Sequence, residues 1–289
     1  MLITTDASIF EINPKKVIHP SSRNDLIISI RELLKQQQQF TMRAGGTSIG
    51  GQAIGEGVIV DISKHLTNII DFCKNKKEIV VEPGIIQDDL NLFLKPYNLK
   101  FAPDTSTSNR AMIGGMIGNN SCGAYSIFYG TTRDHVKSVE VILSDGGLVE
   151  FKELTTKELD DKLSMQTLEG DIYRFVINLL NNNQQEILDA FPDESLIRRN
   201  TGYALDELIR KYKPFNKNGK RFNLASLICG SEGTLGVIVS ATLNLVNLPK
   251  HKELIVAHFS SDEQSLNIVR DLVKLNPSAV EYIDKPTLD

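Results

Sequence analysis

Cysteine is scarce in this chain: Cys73, Cys122 and Cys229 stand far apart and form no C-x-x-C pair. Three such thiols cannot make a disulfide framework, nor can they alone ligate zinc or an iron–sulfur cluster. Each is expected to be a buried thiol in a reducing compartment. The five histidines, His19, His65, His135, His251 and His258, are scattered without H-x-x-H or H-E-x-x-H spacing, so no hydrolytic metal motif is present. They are expected on the surface or hydrogen-bonded in the core, and only His135 falls close to a segment of interest. Positive charge is not in excess. The formal net charge is −4 and no basic stripe is visible, which argues against a nucleic-acid partner. Nor does any apolar run approach the roughly 18 residues that span a bilayer. The opening MLITTDASIFEINPKK has neither the charged start nor the apolar centre of a signal peptide, and a cytoplasmic location is expected.

What is present is the composition of a soluble globular protein: 289 residues, 41% hydrophobic and 24% charged, enough for about two domains at roughly 100–200 residues each. Ser22-Arg23-Asn24-Asp25 reads as a capping box ahead of Leu26, Ile27, Ile30, Leu33 and Leu34, whose spacing predicts one helical face. Strands are expected at Phe40–Met42, Val58–Ile62 and Glu78–Glu82, the last broken by Pro83-Gly84. Asp88 and Asp89 open a helix through Leu90, Leu92, Phe93 and Leu94. Farther on, Ser144-Asp145-Gly146-Gly147 between two apolar runs predicts a hairpin. Helical spacing returns at Ile172, Phe175, Val176, Leu179 and Leu180, then at Ile187, Leu188 and Phe191, all expected in the core. A β-branched run ends at Val246. A strand over Leu254–Phe259, a helix capped at Ser261 and a strand over Val280–Ile283 read as the opening of another domain.

Three glycine-rich stretches stand apart from this frame. Arg43-Ala44-Gly45-Gly46-Thr47-Ser48-Ile49-Gly50-Gly51 follows a strand and can turn tightly enough to aim successive N–H groups at one point, as a phosphate cradle does. It satisfies neither G-x-G-x-x-G nor the lysine-closed P-loop. Residues 103–124 are dominated by small, amide and hydroxyl side chains. With too few apolar anchors for a core element, they are expected as ordered backbone running beside a flat, polar-edged ligand. The third stretch, Cys229 to Ile238, leads into the β-branched run. Convergence of all three on one ligand would suit an extended dinucleotide such as FAD, which needs several contact points.

The wording and order of RAGGTSIGGQ (43–52), VIVDIS (58–63), VEPG (81–84), PDTSTSNRAMIGGMIGNNSCGAYSIFYGTTRDHV (103–136), EVILSDGG (140–147), RRNTGYALDEL (198–208) and GSEGTLGVI (230–238) resemble the vanillyl-alcohol-oxidase-type (PCMH) FAD-linked oxidases. Within them the sequence is similar to the D-lactate, glycolate and D-2-hydroxyglutarate dehydrogenase branch. NNSCGAYS with SEGTLG further resembles the flavin module of longer flavin–iron–sulfur oxidoreductases. The resemblance covers most of the chain and implies an α+β fold. A two-subdomain FAD-binding PCMH-like unit, 1–100 with the pyrophosphate loop and 101–249, would be followed by the start of a ferredoxin-like cap or substrate domain at 250–289.

The same resemblance implies roles. Arg43, Ala44, Gly45, Gly46, Thr47 and Ser48 would hold the pyrophosphate. Pro103, Asp104, Ser106, Gly114, Gly115, Gly118, Asn119, Cys122 and Gly123 would line the cofactor path, joined by Glu232, Gly236 and Ile238. Arg199, Asn200 and Tyr203 would lie near the flavin ring. Thr47 occupies the position where covalent members carry histidine, so a non-covalent FAD is expected. The implied reaction is oxidation of a 2-hydroxy acid to the 2-oxo acid, with electrons passed to a quinone, a protein or an iron–sulfur domain. Two other readings stay open: a flavin reductase fed by NADPH on the same fold, and a non-catalytic flavin- or phosphate-binding module.

Overall fold

The computed structural model describes residues 3–196, 199 and 202–288. In chain order, β1 (Lys16–Ile18) leads to α1 (Arg23–Lys35), β2 (Phe40–Arg43) and β3 (Val58–Asp61). The strands form a parallel sheet ordered β1-β3-β2, with Val58 opposite both Lys16 and Phe40. α1 starts where the Ser22 side chain accepts from the Asp25 N–H at 3.2 Å. The Asp25 carboxylate accepts from the Ser21 N–H at 2.7 Å, so only half of the expected capping box forms. Leu26, Ile27, Ile30 and Leu33 bury one face of α1 with Val58 and Val60 of β3.

The chain continues through β4 (Ile69–Cys73), β5 (Glu78–Val81), α2 (Gln87–Leu94), β6 (Leu99–Lys100), α3 (Ile113–Asn119), α4 (Ser126–Tyr129), α5 (Thr132–His135), β7 (Val136–Ile142) and β8 (Leu148–Lys152). It then forms α6 (Thr156–Ser164), α7 (Leu168–Asn182), α8 (Gln184–Ala190), α9 (Leu205–Lys211), α10 (Ala225–Ile228), β9 (Val237–Asn244), β10 (Val246–Asn247), α11 (Asp262–Val273) and α12 (Lys285–Leu288). Five strands make an antiparallel sheet ordered β4-β5-β9-β7-β8, and β10 pairs with β6. The central place of β9 follows from its sequence: Val237, Val239, Ala241 and Leu243 are buried in alternation between two partner strands. This sheet draws on both sides of residue 100, where the sequence reading divides the first two subdomains. Ile142, Val237 and Val239 also join the core beneath α1, so α1 packs between the small and the large sheet.

Several expectations are corrected. Residues 113–119, expected to have too few apolar anchors for a core element, form α3. Ile113, Met116 and Ile117, at i, i+3 and i+4, give a two-turn helix a complete apolar face, and all three are buried. Phe175 is 67% exposed, while Tyr173, Val176 and Leu180 fill the core with the three-to-four spacing that Phe175 breaks. On α2, Leu90 and Leu94 face inward and Leu92 faces out. No strand forms over 254–259 or 280–283 among the described residues. Leu254 and Ile255 are exposed there, and a strand exists only as one side of a ladder. α11 does start at Ser261, whose side chain accepts from the Gln264 N–H at 3.3 Å. No described helix is long and apolar enough to cross a membrane.

Candidate cofactor-binding site

β2 ends in Arg43, and this residue shapes the glycine loop that follows. Its buried side chain donates to the Ala53 carbonyl at 3.1 Å and to the Thr5 carbonyl at 2.8 Å. Burial lowers the guanidinium from its ordinary value, opposed by the carboxylates of Asp61 and Asp6. Gly46 turns over it with φ +61°, and a Cβ there would stand 2.4 Å from Arg43 Nη2. Only glycine closes this turn. From the side, Gly45 backs onto the Arg110 carbonyl oxygen, 2.3 Å from where a Cβ would sit. Held this way, the backbone N–H groups of Gly45, Gly46, Thr47 and Ser48 donate to no acceptor among the described residues, although these residues are buried or half-buried. Each shielded donor without a partner costs about 1–3 kcal/mol. Four in sequence make a concave set of donors of the kind that can accept an anion.

α3 joins this loop to the other two glycine stretches. A Cβ on Gly115 would lie 3.3 Å from the Ala44 Cβ, and the Gly115 N–H also lacks an acceptor among the described residues. The Gly114 N–H donates to the Pro83 carbonyl at 2.7 Å, tying α3 to the Pro83-Gly84 turn. At the other end, the carbonyls of Ile117 and Gly118 accept from the N–H groups of Gly230 and Glu232, both at 2.9 Å. Asn119 donates to the Glu232 carboxylate at 3.0 Å, while desolvation raises the Glu232 carboxyl above its ordinary value. Nothing stands within 4 Å of a Cβ placed on Gly118 or Gly233. The backbone there borders open space.

The remaining sequence-identified residues fall in three places. Pro103 and Asp104 are held by α2 and the start of α4: the Pro103 carbonyl accepts from the Gln87 side chain, and the Asp104 carboxylate accepts from the Tyr125 N–H at 3.1 Å. Gly123 packs directly on the Asp104 backbone, Cys122 is half-buried just after α3, and Ser106 lies on an exposed turn. Gly236 and Ile238 lie at the start of β9 against Ile142 and Val141. Arg199 pairs with Asp206 and, at 2.9 Å, with Glu207; Arg210 reaches Asp206 at 3.0 Å and Lys211 reaches Glu207 at 2.6 Å. Tyr203 is 43% exposed, and its hydroxyl shares a 2.8 Å hydrogen bond with Thr234 Oγ1 beside the third glycine stretch. Asn200 lies outside the described residues. His135 is a core residue, one ring nitrogen 2.7 Å from the Tyr129 carbonyl and its edge against Phe101.

Two residues that sequence reading passed over hold the arrangement together. The Gln87 amide spans Pro103 and Thr105. Arg133 donates through Nε to the Ser226 carbonyl at 3.1 Å and through Nη2 to the Cys229 carbonyl at 2.6 Å. Neither leaves a periodic signal, because most of the partners are carbonyls distant in sequence. Cys229 beneath them is fully buried, which pushes its thiol up to about 12, whereas Cys73 and Cys122 are half-buried. A thiol reagent at about pH 8 is expected to label Cys73 and Cys122 in the native protein and Cys229 only after denaturation. Labelling of Cys229 in the folded protein would contradict this packing.

An arginine-braced glycine turn whose amides have no acceptor among the described residues is linked through α3 to the Gly230–Glu232 segment, an arrangement with room for an extended phosphate-bearing ligand. Residues 14–152 match the model of the FAD binding domain family, with FAD as the cofactor. Along its length the chain is 35% identical to D-2-hydroxyglutarate dehydrogenase of Escherichia coli, covering 100% of this chain and 28% of that enzyme. It is 26% identical to glycolate oxidase subunit GlcD of Bacillus subtilis, over 96% of this chain and 47% of the relative. With mitochondrial D-lactate dehydrogenase [cytochrome] 1 of Saccharomyces cerevisiae the identity is 23%, over 95% and 37%. The chain thus spans 28% of the length of the D-2-hydroxyglutarate dehydrogenases it matches. A solved structure of alkyldihydroxyacetonephosphate synthase superposes with a TM-score of 0.60 at 15% identity, over 91% of this chain and 38% of that one. The α+β fold is therefore shared with that structure.

Proposed function

We propose that this chain is the FAD-binding portion of a flavin-dependent dehydrogenase that oxidises a 2-hydroxy acid, of the D-lactate, glycolate or D-2-hydroxyglutarate type, to the 2-oxo acid. The electron acceptor is a quinone, a protein or an iron–sulfur domain rather than oxygen. The observation that carries the reading is the run of amides from Gly45 to Ser48 with no acceptor among the described residues, following Ala44, which packs on Gly115 of α3, in a chain related to named 2-hydroxy-acid dehydrogenases. FAD, when bound, supplies the hydride-accepting chemistry. The chain's own residues hold the cofactor: amides 45–48 and Gly115 take the diphosphate, the open backbone at Gly118 and Gly233 admits a flat ring system, and Tyr203 stands at its edge. Residues 250–289 are read as the start of a substrate cap. The protein is read as cytoplasmic and without a nucleic-acid partner.

Thr47 offers no imidazole for a histidyl–flavin bond, so acid precipitation is expected to leave a colourless pellet and release intact FAD into a yellow supernatant. A yellow pellet would overturn the non-covalent assignment. Anaerobic mixing of the holoprotein with D-lactate, glycolate and D-2-hydroxyglutarate tests the reaction class: slow bleaching of the flavin by a hydroxy acid supports it, while robust turnover would overturn the reading that these residues lack the complete active site. Bleaching by NADPH alone would replace it with a flavin reductase, and purification without flavin absorbance would replace it with a phosphate-binding module.

A further inference from the structure

Ahead of β1, residues 4–12 fold back on themselves. Thr5 bridges Glu11 in antiparallel fashion, the Ile12 N–H donates to the Thr4 carbonyl at 2.9 Å, and Asp6 accepts from the Ser8 N–H at 2.8 Å near the tip. Among the described residues this hairpin adds no side chain to either apolar core. Its contacts fall instead on the glycine loop. The Thr5 carbonyl accepts from Arg43 Nη2, the same nitrogen over which Gly46 turns. The Phe10 ring lies 3.2 Å from a Cβ position on Gly51, beside Ile54. The loop is thus gripped beneath its first turn and again at its far end.

We propose that this hairpin is a strap belonging to the FAD site, with Thr5 and Phe10 as positioning residues for the loop that receives the diphosphate; the proposal rests on the FAD reading above. Gly45, Gly46, Gly50 and Gly51 leave the loop many backbone conformations. Apparent affinity falls in proportion to the fraction of molecules whose loop is already in the binding conformation. Fixing both ends of the loop raises that fraction without adding a contact to the ligand. The Asp6 carboxylate reinforces the grip by attracting the Arg43 guanidinium.

The test compares the wild-type protein with Phe10→Ala and Phe10→Leu, stripped of flavin and titrated with FAD. Phe10→Ala is expected to weaken FAD binding about tenfold and to shift the 31P resonances of the bound diphosphate. The melting temperature of its apoprotein should stay close to wild type, because the hairpin lies outside both cores. Phe10→Leu, which keeps an apolar contact on Gly51, should restore most of the affinity. Equal affinity and unchanged 31P resonances in Phe10→Ala, with wild type binding FAD, would overturn the strap alone. A loss of affinity that only follows a lowered apoprotein melting temperature would also overturn it, by making the hairpin mere scaffold. If the wild-type protein itself fails to bind FAD, the cofactor reading falls and takes the strap with it.

Discussion

Gly45→Ala is expected to abolish FAD retention. The new Cβ would stand 2.3 Å from the Arg110 carbonyl oxygen, a backbone atom, so loop and neighbour must separate by about 1 Å to reach ordinary contact. The Arg110 side of that contact is not free to move. The Arg110 and Ala111 N–H groups donate to the Thr107 carbonyl at 2.9 and 2.7 Å, and the Ala111 carbonyl accepts from the Gln87 N–H of α2 at 2.9 Å. The glycine loop must therefore yield. A displacement of that size misdirects the donors at Gly45 to Ser48, and hydrogen bonds to a charged group contribute about 1.5–3 kcal/mol each. Loss of two of them weakens FAD binding at least about a hundredfold. Titration of the apoprotein with FAD measures this. Gly118→Ala, whose Cβ meets nothing within 4 Å, is the control for apoprotein stability and should melt close to wild type. A Gly45→Ala protein that binds FAD as wild type does would remove the loop from the cofactor site.

Asp206→Ala is expected to lower the unfolding free energy by about 3 kcal/mol, the low end of what breaking a buried ion pair costs. Asp206 is 1% exposed and faces the guanidinium groups of Arg199 and Arg210. Removing the carboxylate leaves two cations near a buried void. The loss is held to the low end because Glu207 still reaches Arg199 at 2.9 Å and the Pro192 carbonyl still accepts from Arg210 at 3.3 Å. Asp206→Asn keeps the shape and one acceptor, and should lose less. Denaturant midpoints of the two variants provide the measurement. A change within about 0.5 kcal/mol for Asp206→Ala, the range of ordinary surface substitutions, would mean that the network contributes nothing to the fold.

The parts of the fold that sequence reading recovered are those with local periodic signals. α1, β2, β3, β5 and the β7–β8 hairpin follow from apolar spacing and turn residues alone. The insertion of β9 between β5 and β7 left no local trace, because pairing of strands far apart in sequence depends on faces that alternate alike in many strands. α3 was concealed by its glycines, which suggest irregular backbone, while its three apolar residues are enough for a helix with one buried face. At the site, composition disclosed the three glycine stretches, and the resemblance to FAD-linked oxidases supplied their common ligand. Their physical meeting point on α3 was not legible. Nor was the division of labour at the first loop, where Arg43 braces the turn from inside while the following amides have no acceptor among the described residues.

The strand order of the large sheet also sets a timetable for synthesis. One edge of β5 pairs with β4 at once, Val81 opposite Ile69, but the other edge finds its partner, Ala241 opposite Val81, only in β9, so β4 and β5 leave the ribosome long before that neighbour exists. At about 5–20 residues per second that wait is on the order of ten seconds. The small parallel sheet and α1 need only residues up to Asp61 and can pair early. The β5 edge, with Ile79 and Val81 destined for full burial, must stay unpaired in the nascent chain until β9 arrives. Throughout that interval the β4–β5 ribbon presents one unpaired apolar edge, and a chain halted downstream of residue 152 would carry the glycine loop on its small sheet without Val237 and Val239 of β9 to complete the core beneath α1.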